Sequence, residues 1–304
     1  MALPAADRPN ILLLTVDDMS CDSVGVYGCK LPGTTPHMNW LATQSLRFAH
    51  AHTTVGNCMP CRNVMFSGLH SHNNKIEGFY QVKNPGWPHL VDLMKAGGYF
   101  TGIRGKVSHS SPYQPYAWDA NLDTLPDGTK AHLKDVQSYG AATTAGIAQA
   151  KEAKKPFCLV VNISDPHKPF WKGPNDPHKP SRIYTADEVP IPGFLFDDPQ
   201  VREELALYYT SVRRADDAAG AASSPTDAAG AEDAAGAAGA EDAEDATDVE
   251  DAAGGRGGGG GIAADGREAG ASIAVAAVAA KENAVTALLD ASLEFIHAAA
   301  ALDA

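Results

Sequence analysis

The sequence predicts an α/β fold: a mostly parallel sheet flanked by helices, followed by a low-complexity acidic tail. Three observations carry this. Residues 10–16 (Asn-Ile-Leu-Leu-Leu-Thr-Val) and 157–163 (Phe-Cys-Leu-Val-Val-Asn-Ile) are continuous apolar runs, each closed by polar residues. Such runs suit strands buried on both faces, as in a parallel sheet. Helix-like segments separate them, the alternation expected of an α/β domain. Composition then changes abruptly after Arg214, where Ala, Gly, Asp and Glu take over.

Taken in order, the first strand follows Pro9 and ends at Asp17-Asp18, which places two carboxylates at its C-terminal end. Open α/β sheets bind their ligands at that end. Residues 35–48 predict a helix with Pro36 in its first turn. Residues 88–96 predict a second, stopped by Gly97-Gly98. Residues 99–104 predict a short strand followed by Gly105-Lys106, and 137–153 a helix. The strand over 157–163 leads into Ser164-Asp165-Pro166-His167. A Pro-rich loop, roughly 166–199, leads to a helix near 201–214.

The net charge of −13 is local: residues 215–272 hold 14 acidic and 2 basic residues, leaving the rest near neutral. No basic stripe with interleaved aromatics is present, which argues against a nucleic-acid partner. Five scattered cysteines argue against a disulfide framework. No run is long and apolar enough for a membrane span, and no signal peptide precedes the first strand, so the chain as written reads as cytoplasmic.

Asn57-Cys58-Met59-Pro60-Cys61-Arg62 carries the chemistry. Pro60 suits the first turn of a helix, which places Cys58 at its N-terminus. Backbone N–H groups and the helix dipole favour a thiolate or a bound anion there. Arg62 returns to the same face one turn later. A nucleophile beside a fixed cation suits reaction at an anionic ester. The other readings of Cys58-x-x-Cys61 are a redox pair, half of a zinc site, or buried structural cysteines. Lys106, His109 and His167 fall at the same strand ends as Asp17 and Asp18. Singly, each is also a plausible solvated turn, surface lysine or loop histidine.

Together these pieces resemble the sulfatase family of the alkaline-phosphatase superfamily. The resemblance rests on residues 8–18, on Cys58-Met59-Pro60-Cys61-Arg62 and on Ser67-Gly68-Leu69. Gly105-Lys106-Val107-Ser108-His109, Asp165-Pro166-His167-Lys168-Pro169-Phe170 and residues 208–216 complete it. It covers about residues 8–217. The stretch 68–81 and the Asp-Pro-His loop look closest to heparan N-sulfatases, the Gly-Lys-Val-x-His spacing to iduronate 2-sulfatases. The resemblance implies hydrolysis of sulfate esters, on sulfated saccharides. It implies that a formylglycine-generating enzyme oxidises Cys58 to formylglycine, whose hydrate attacks sulfur. It further implies that Asp17 and Asp18, with the modified Cys58, hold a divalent cation, Ca²⁺ in most of the family. Arg62 would stabilise the ionised diol. Lys106 and His167 would contact sulfate oxygens, and His109 would orient the diol or move its proton.

The family's later strand, ending in an Asp-Asn or Asp-His pair that completes the metal site, has no counterpart here. Residues 1–217 therefore read as an incomplete sulfatase-like domain, 218–272 as a disordered Ala/Gly/Asp-rich segment and 273–304 as an Ala-rich helix. The abrupt change suggests a shifted reading frame. The alternatives to an active sulfatase are a non-catalytic sulfatase-like protein and a phosphoesterase of the same superfamily.

Overall fold

A computed structural model describes residues 8–224. The expected segment 273–304, and 218–272 beyond residue 224, lie outside the described residues.

Four strands form one sheet: β1 (Ile11–Asp17), β2 (Phe100–Arg104), β3 (Ala120–Asn121) and β4 (Phe157–Pro166), in the order β1-β4-β2-β3. Every pairing is parallel. The central strand β4 is buried along its whole length, which is why its sequence is apolar without alternation. Its side chains nevertheless divide between two faces. Leu159, Val161 and Ile163 join the main core with Leu12, Leu14, Tyr139 and Val212. Cys158 and Val160 point the other way, toward Met94 and Tyr99 and toward Met65, Phe66 and Ile103 respectively.

The helices supply the covering layers. They are α1 (Pro36–Thr43), α2 (Cys58–Ser67), α3 (Ser71–Asn74), α4 (Leu90–Ala96), α5 (Val136–Glu152) and α6 (Pro199–Ser223). Helices α5 and α6 pack on the face carrying Leu159; α2 and α4 lie on the other. β3 escaped the sequence reading because two residues give no periodicity.

Two helix boundaries differ from expectation. α1 stops at Thr43 rather than near residue 48, since Leu46 is exposed and gives the last turn nothing to pack against. α6 continues to Ser223, six residues past the expected domain boundary at 217. Its extension is alanine-rich, yet Ala218, Ala219 and Ala222 are buried in the core. Small residues let α6 approach α5 closely: a Cβ added at Gly140 would sit 3.0 Å from the Ala221 carbonyl oxygen. Low complexity here marks a close helix–helix contact, so the disordered reading fails for residues 218–223. Asp216, on the same helix, accepts from the His37 and Met38 amides at 3.0 and 2.8 Å, capping α1 from a distance.

Candidate active site at the carboxyl ends of the strands

The site forms where β1, β2 and β4 end. β1 delivers Asp17 and then Asp18, whose φ of 61° turns the chain sharply away from the sheet. β2 ends at Arg104, and Gly105 (φ 72°) and Lys106 (φ 50°) make the corresponding turn. Non-glycine residues in the left-handed region cost about 1–3 kcal/mol and gather at functional sites. β4 delivers Asp165 and Pro166, with His167 next in the chain.

Helix α2 begins at Cys58 and presents it to the same end. Asn57, the residue before it, makes no side-chain cap, so the first-turn amides carry no such partner. Residues Met59 to Phe66 are all buried, which fixes the helix against the sheet. Gly68 terminates it with φ 67°.

Distances join the predicted residues. Ligand-capable atoms of Asp17, Cys58 and His167 lie within 4.8 Å of one another. Arg62 Nη2 is 3.6 Å and Lys106 Nζ 2.5 Å from the Asp17 carboxylate. His167 Nε2 is 3.8 Å from Asp18 Oδ2. His109 lies one turn beyond Lys106, its amide donating to the Lys106 carbonyl at 3.0 Å, and its ring packs 5.4 Å from that of Phe79. All seven predicted residues thus meet at one end of the sheet.

The electrostatics follow from this crowding. Burial alone would raise the Asp17 carboxyl, but Arg62 and Lys106 outweigh it and hold the group below the usual carboxylate range. Burial, with the Lys106 and Arg62 charges, pushes the His109 imidazole down, toward the neutral, proton-accepting form. Burial also raises the Cys58 thiol, and the Asp17 charge adds to this. Unmodified Cys58 is therefore a thiol and a poor nucleophile, despite its helix N-terminus. Cys61 is buried, with Sγ 3.0 Å from Thr53 Oγ1. Both cysteines are free, so the pair is not a disulfide here.

The donor set fits a hard divalent cation. The Asp17 carboxylate is buried, and its charge is met by Lys106 and Arg62. Ionised carboxylate oxygens at Asp17, with Asp18 adjacent, are the donor type that Ca²⁺ prefers.

Sequence reasoning missed the residues behind the front row. Thr15 and Asn162 face each other across β1 and β4 and share a 2.7 Å hydrogen bond. Arg62 donates to both, at 3.0 Å to Thr15, so its guanidinium is held in place before any ligand arrives. The Asn162 amide also donates to the Gly105 carbonyl at 2.8 Å. The signal was present: each is a lone polar residue inside an apolar strand. Lys134 and Arg214 grip Asp165, at 2.7 and 2.6 Å. Lys134 Nζ also donates to the His167 carbonyl at 2.7 Å. Nothing local in sequence links those three segments.

A family model described as Sulfatase matches residues 9–221. The chain belongs to the sulfatase family. Among its relatives is the N-sulphoglucosamine sulphohydrolase of Homo sapiens, 30% identical over 241 residues, covering 70% of this chain and 46% of that protein. The iduronate 2-sulfatase of Mus musculus is 28% identical over 242 residues, covering 66% and 41%. Among solved structures, the phosphonate monoester hydrolase of Agrobacterium radiobacter superposes with a TM-score of 0.52 at 16% identity, covering 70% of this chain and 58% of that one. It shows a shared fold. The chain spans less than half the length of these two curated relatives. No described helix is long and apolar enough to cross a membrane.

Proposed function

We propose that this chain carries the reaction centre of a sulfuric ester hydrolase acting on sulfated saccharides. Asp17, Asp18, Arg62, Lys106, His109 and His167 surround Cys58, which serves as the formylglycine position. The observation that carries this is the convergence of Cys58, Asp17 and His167 at the start of α2, with two cations on Asp17. The saccharide class is supported by the relatives of this chain, an N-sulphoglucosamine sulphohydrolase and an iduronate 2-sulfatase.

The raised thiol explains why a modified side chain suits this position. Oxidised to the aldehyde and hydrated, residue 58 offers an oxygen nucleophile where the thiol offers little. Arg62, fixed by Thr15 and Asn162, presents positive charge to the ionised nucleophile. Lys106 and His167 meet the sulfate oxygens as charge moves onto them. Neutral His109 takes a proton from the diol and returns it. A divalent cation held by Asp17 and Asp18 would polarise the sulfate and lower the pKa of the bound nucleophile.

The test is to express the chain with a formylglycine-generating enzyme and sequence the Cys58 peptide by mass spectrometry. Aldehyde at residue 58 and turnover of an aryl sulfate in Ca²⁺ are expected, both lost in Cys58→Ala. A second reading is a sulfatase-like binding protein without turnover. It is favoured by the Asp17 carboxylate, which Lys106 and Arg62 already pair with. Aldehyde formation without any turnover would decide for it.

A further inference from the structure

Beside the reaction centre lies a cavity of about 590 Å³, within the range of about 300–1,000 Å³ usual for small-molecule sites. Asp18 belongs to both, and Lys168, the residue after His167, lines the cavity. The walls are the segment after β4, the stretch 192–198 and the first half of α6.

Its lining combines two chemistries. Phe170 and Tyr208 present rings 5.6 Å apart in an edge-on pair, and Phe194 projects beside them, 80% exposed. The Tyr208 hydroxyl is tied to the Ser20 amide at 2.9 Å and to Ser23 Oγ at 3.0 Å, so that ring is fixed before any ligand arrives. The second chemistry is acidic. Asp18, Asp22, Asp198 and Glu204 line the cavity against the ammonium of Lys168, which sits 3.7 Å from Glu204 and is offset by it.

Aromatic faces cover the C–H faces of pyranose rings, and carboxylates accept from hydroxyl pairs or from ammonium groups. A net negative wall repels sulfate and carboxylate. We infer that this cleft binds the glycosyl unit next to the sulfated one, and that this unit bears hydroxyl or ammonium groups and no anionic substituent. The inference rests on the proposed activity only for what the sugar is joined to. Sugar binding in the cleft does not require the modified form of Cys58.

The full chain, labelled with fluorophenylalanine, is titrated with trimers of glucosamine, N-acetylglucosamine and galacturonic acid, following the Phe194 signal by fluorine NMR. Phe194→Ala assigns that signal. The expected order is glucosamine tightest and galacturonate weakest, with a difference of about tenfold or more between these two. Glu204→Lys should reverse that order, and Phe194→Ala, followed through the Phe170 signal of the same cleft, should weaken all three about fivefold. Both side chains are largely exposed, so the fold should be unchanged in either variant. Galacturonate binding as tightly as glucosamine, or no sugar moving the Phe194 signal, would overturn the inference. Sugar binding in the expected order by a chain that turns over no aryl sulfate would uphold the cleft and sink the proposed activity. Turnover with no sugar binding would do the reverse.

Discussion

Arg62 is the residue whose role depends most on its surroundings. Its guanidinium meets Thr15, Asn162 and Asp17 at once, from a buried position. A lysine carries the charge but lacks the planar fork that reaches several acceptors. Arg62→Lys in a chain that turns over aryl sulfate should lower kcat about 100-fold, the scale of losing one preorganised donor. A loss below about threefold would show that the charge alone suffices. The motif spacing made Arg62 legible in the sequence. Thr15 and Asn162 were not singled out, because their partnership exists only once β1 and β4 lie side by side.

At the scale of elements, the turns at the strand ends decide which side chains reach the centre. Gly105 shows this most sharply. Its φ is +72°, and a Cβ there would collide with the backbone carbonyl of Asn162 on β4. Gly105→Ala should destabilise the fold by more than about 1 kcal/mol, since neither the backbone angle nor the carbonyl can give cheaply. It should also swing Lys106 away from Asp17, lowering turnover beyond what the stability loss explains. Thermal unfolding and a kcat measurement well below the new Tm separate the two effects. An unchanged Tm would refute the argument. The order of strands and helices was readable because parallel strands are apolar throughout and helices carry caps and stops. The length of α6 was not, since alanine and glycine look like disorder until a partner helix sits against them.

For the molecule as a whole, two buried groups pull stability in opposite directions with pH. His89 is fully buried among Phe66, Trp87, Tyr116 and Trp118, and burial pushes its imidazole down to about 4. A histidine depressed in the fold is protonated more easily when unfolded. Its contribution is therefore complete above about pH 6.5 and is lost as pH falls through about 4. The full span corresponds to about 3 kcal/mol. Asp216 behaves oppositely: burial raises its carboxyl to about 6, against the Met38 and His37 amides. The fold then holds that proton more tightly, so this contribution is complete below about pH 3.8 and lost as pH rises through about 6. Between pH 4 and 6.5 these two contributions oppose each other, and the depressed His109 acts in the same direction as His89. Denaturant unfolding across that window should show His89→Asn losing less stability on acidification than wild type, and Asp216→Asn losing more. Parallel curves for all three proteins would refute both assignments.

The sequence by itself determined the α/β class and the family, and it singled out seven residues for a candidate centre. These are properties of local pattern: apolar runs, a helix-start motif, and polar residues at strand ends, all spaced along the chain. The tertiary structure alone decided what holds those residues in place. The Thr15–Asn162 pair, the Lys134 and Arg214 grip on Asp165, the Asp216 cap on α1 and the acidic aromatic cleft each join segments separated by tens of residues or more. Such partnerships leave no trace in spacing, because hydrogen bonds and ion pairs select by distance in space, which only the folded chain sets.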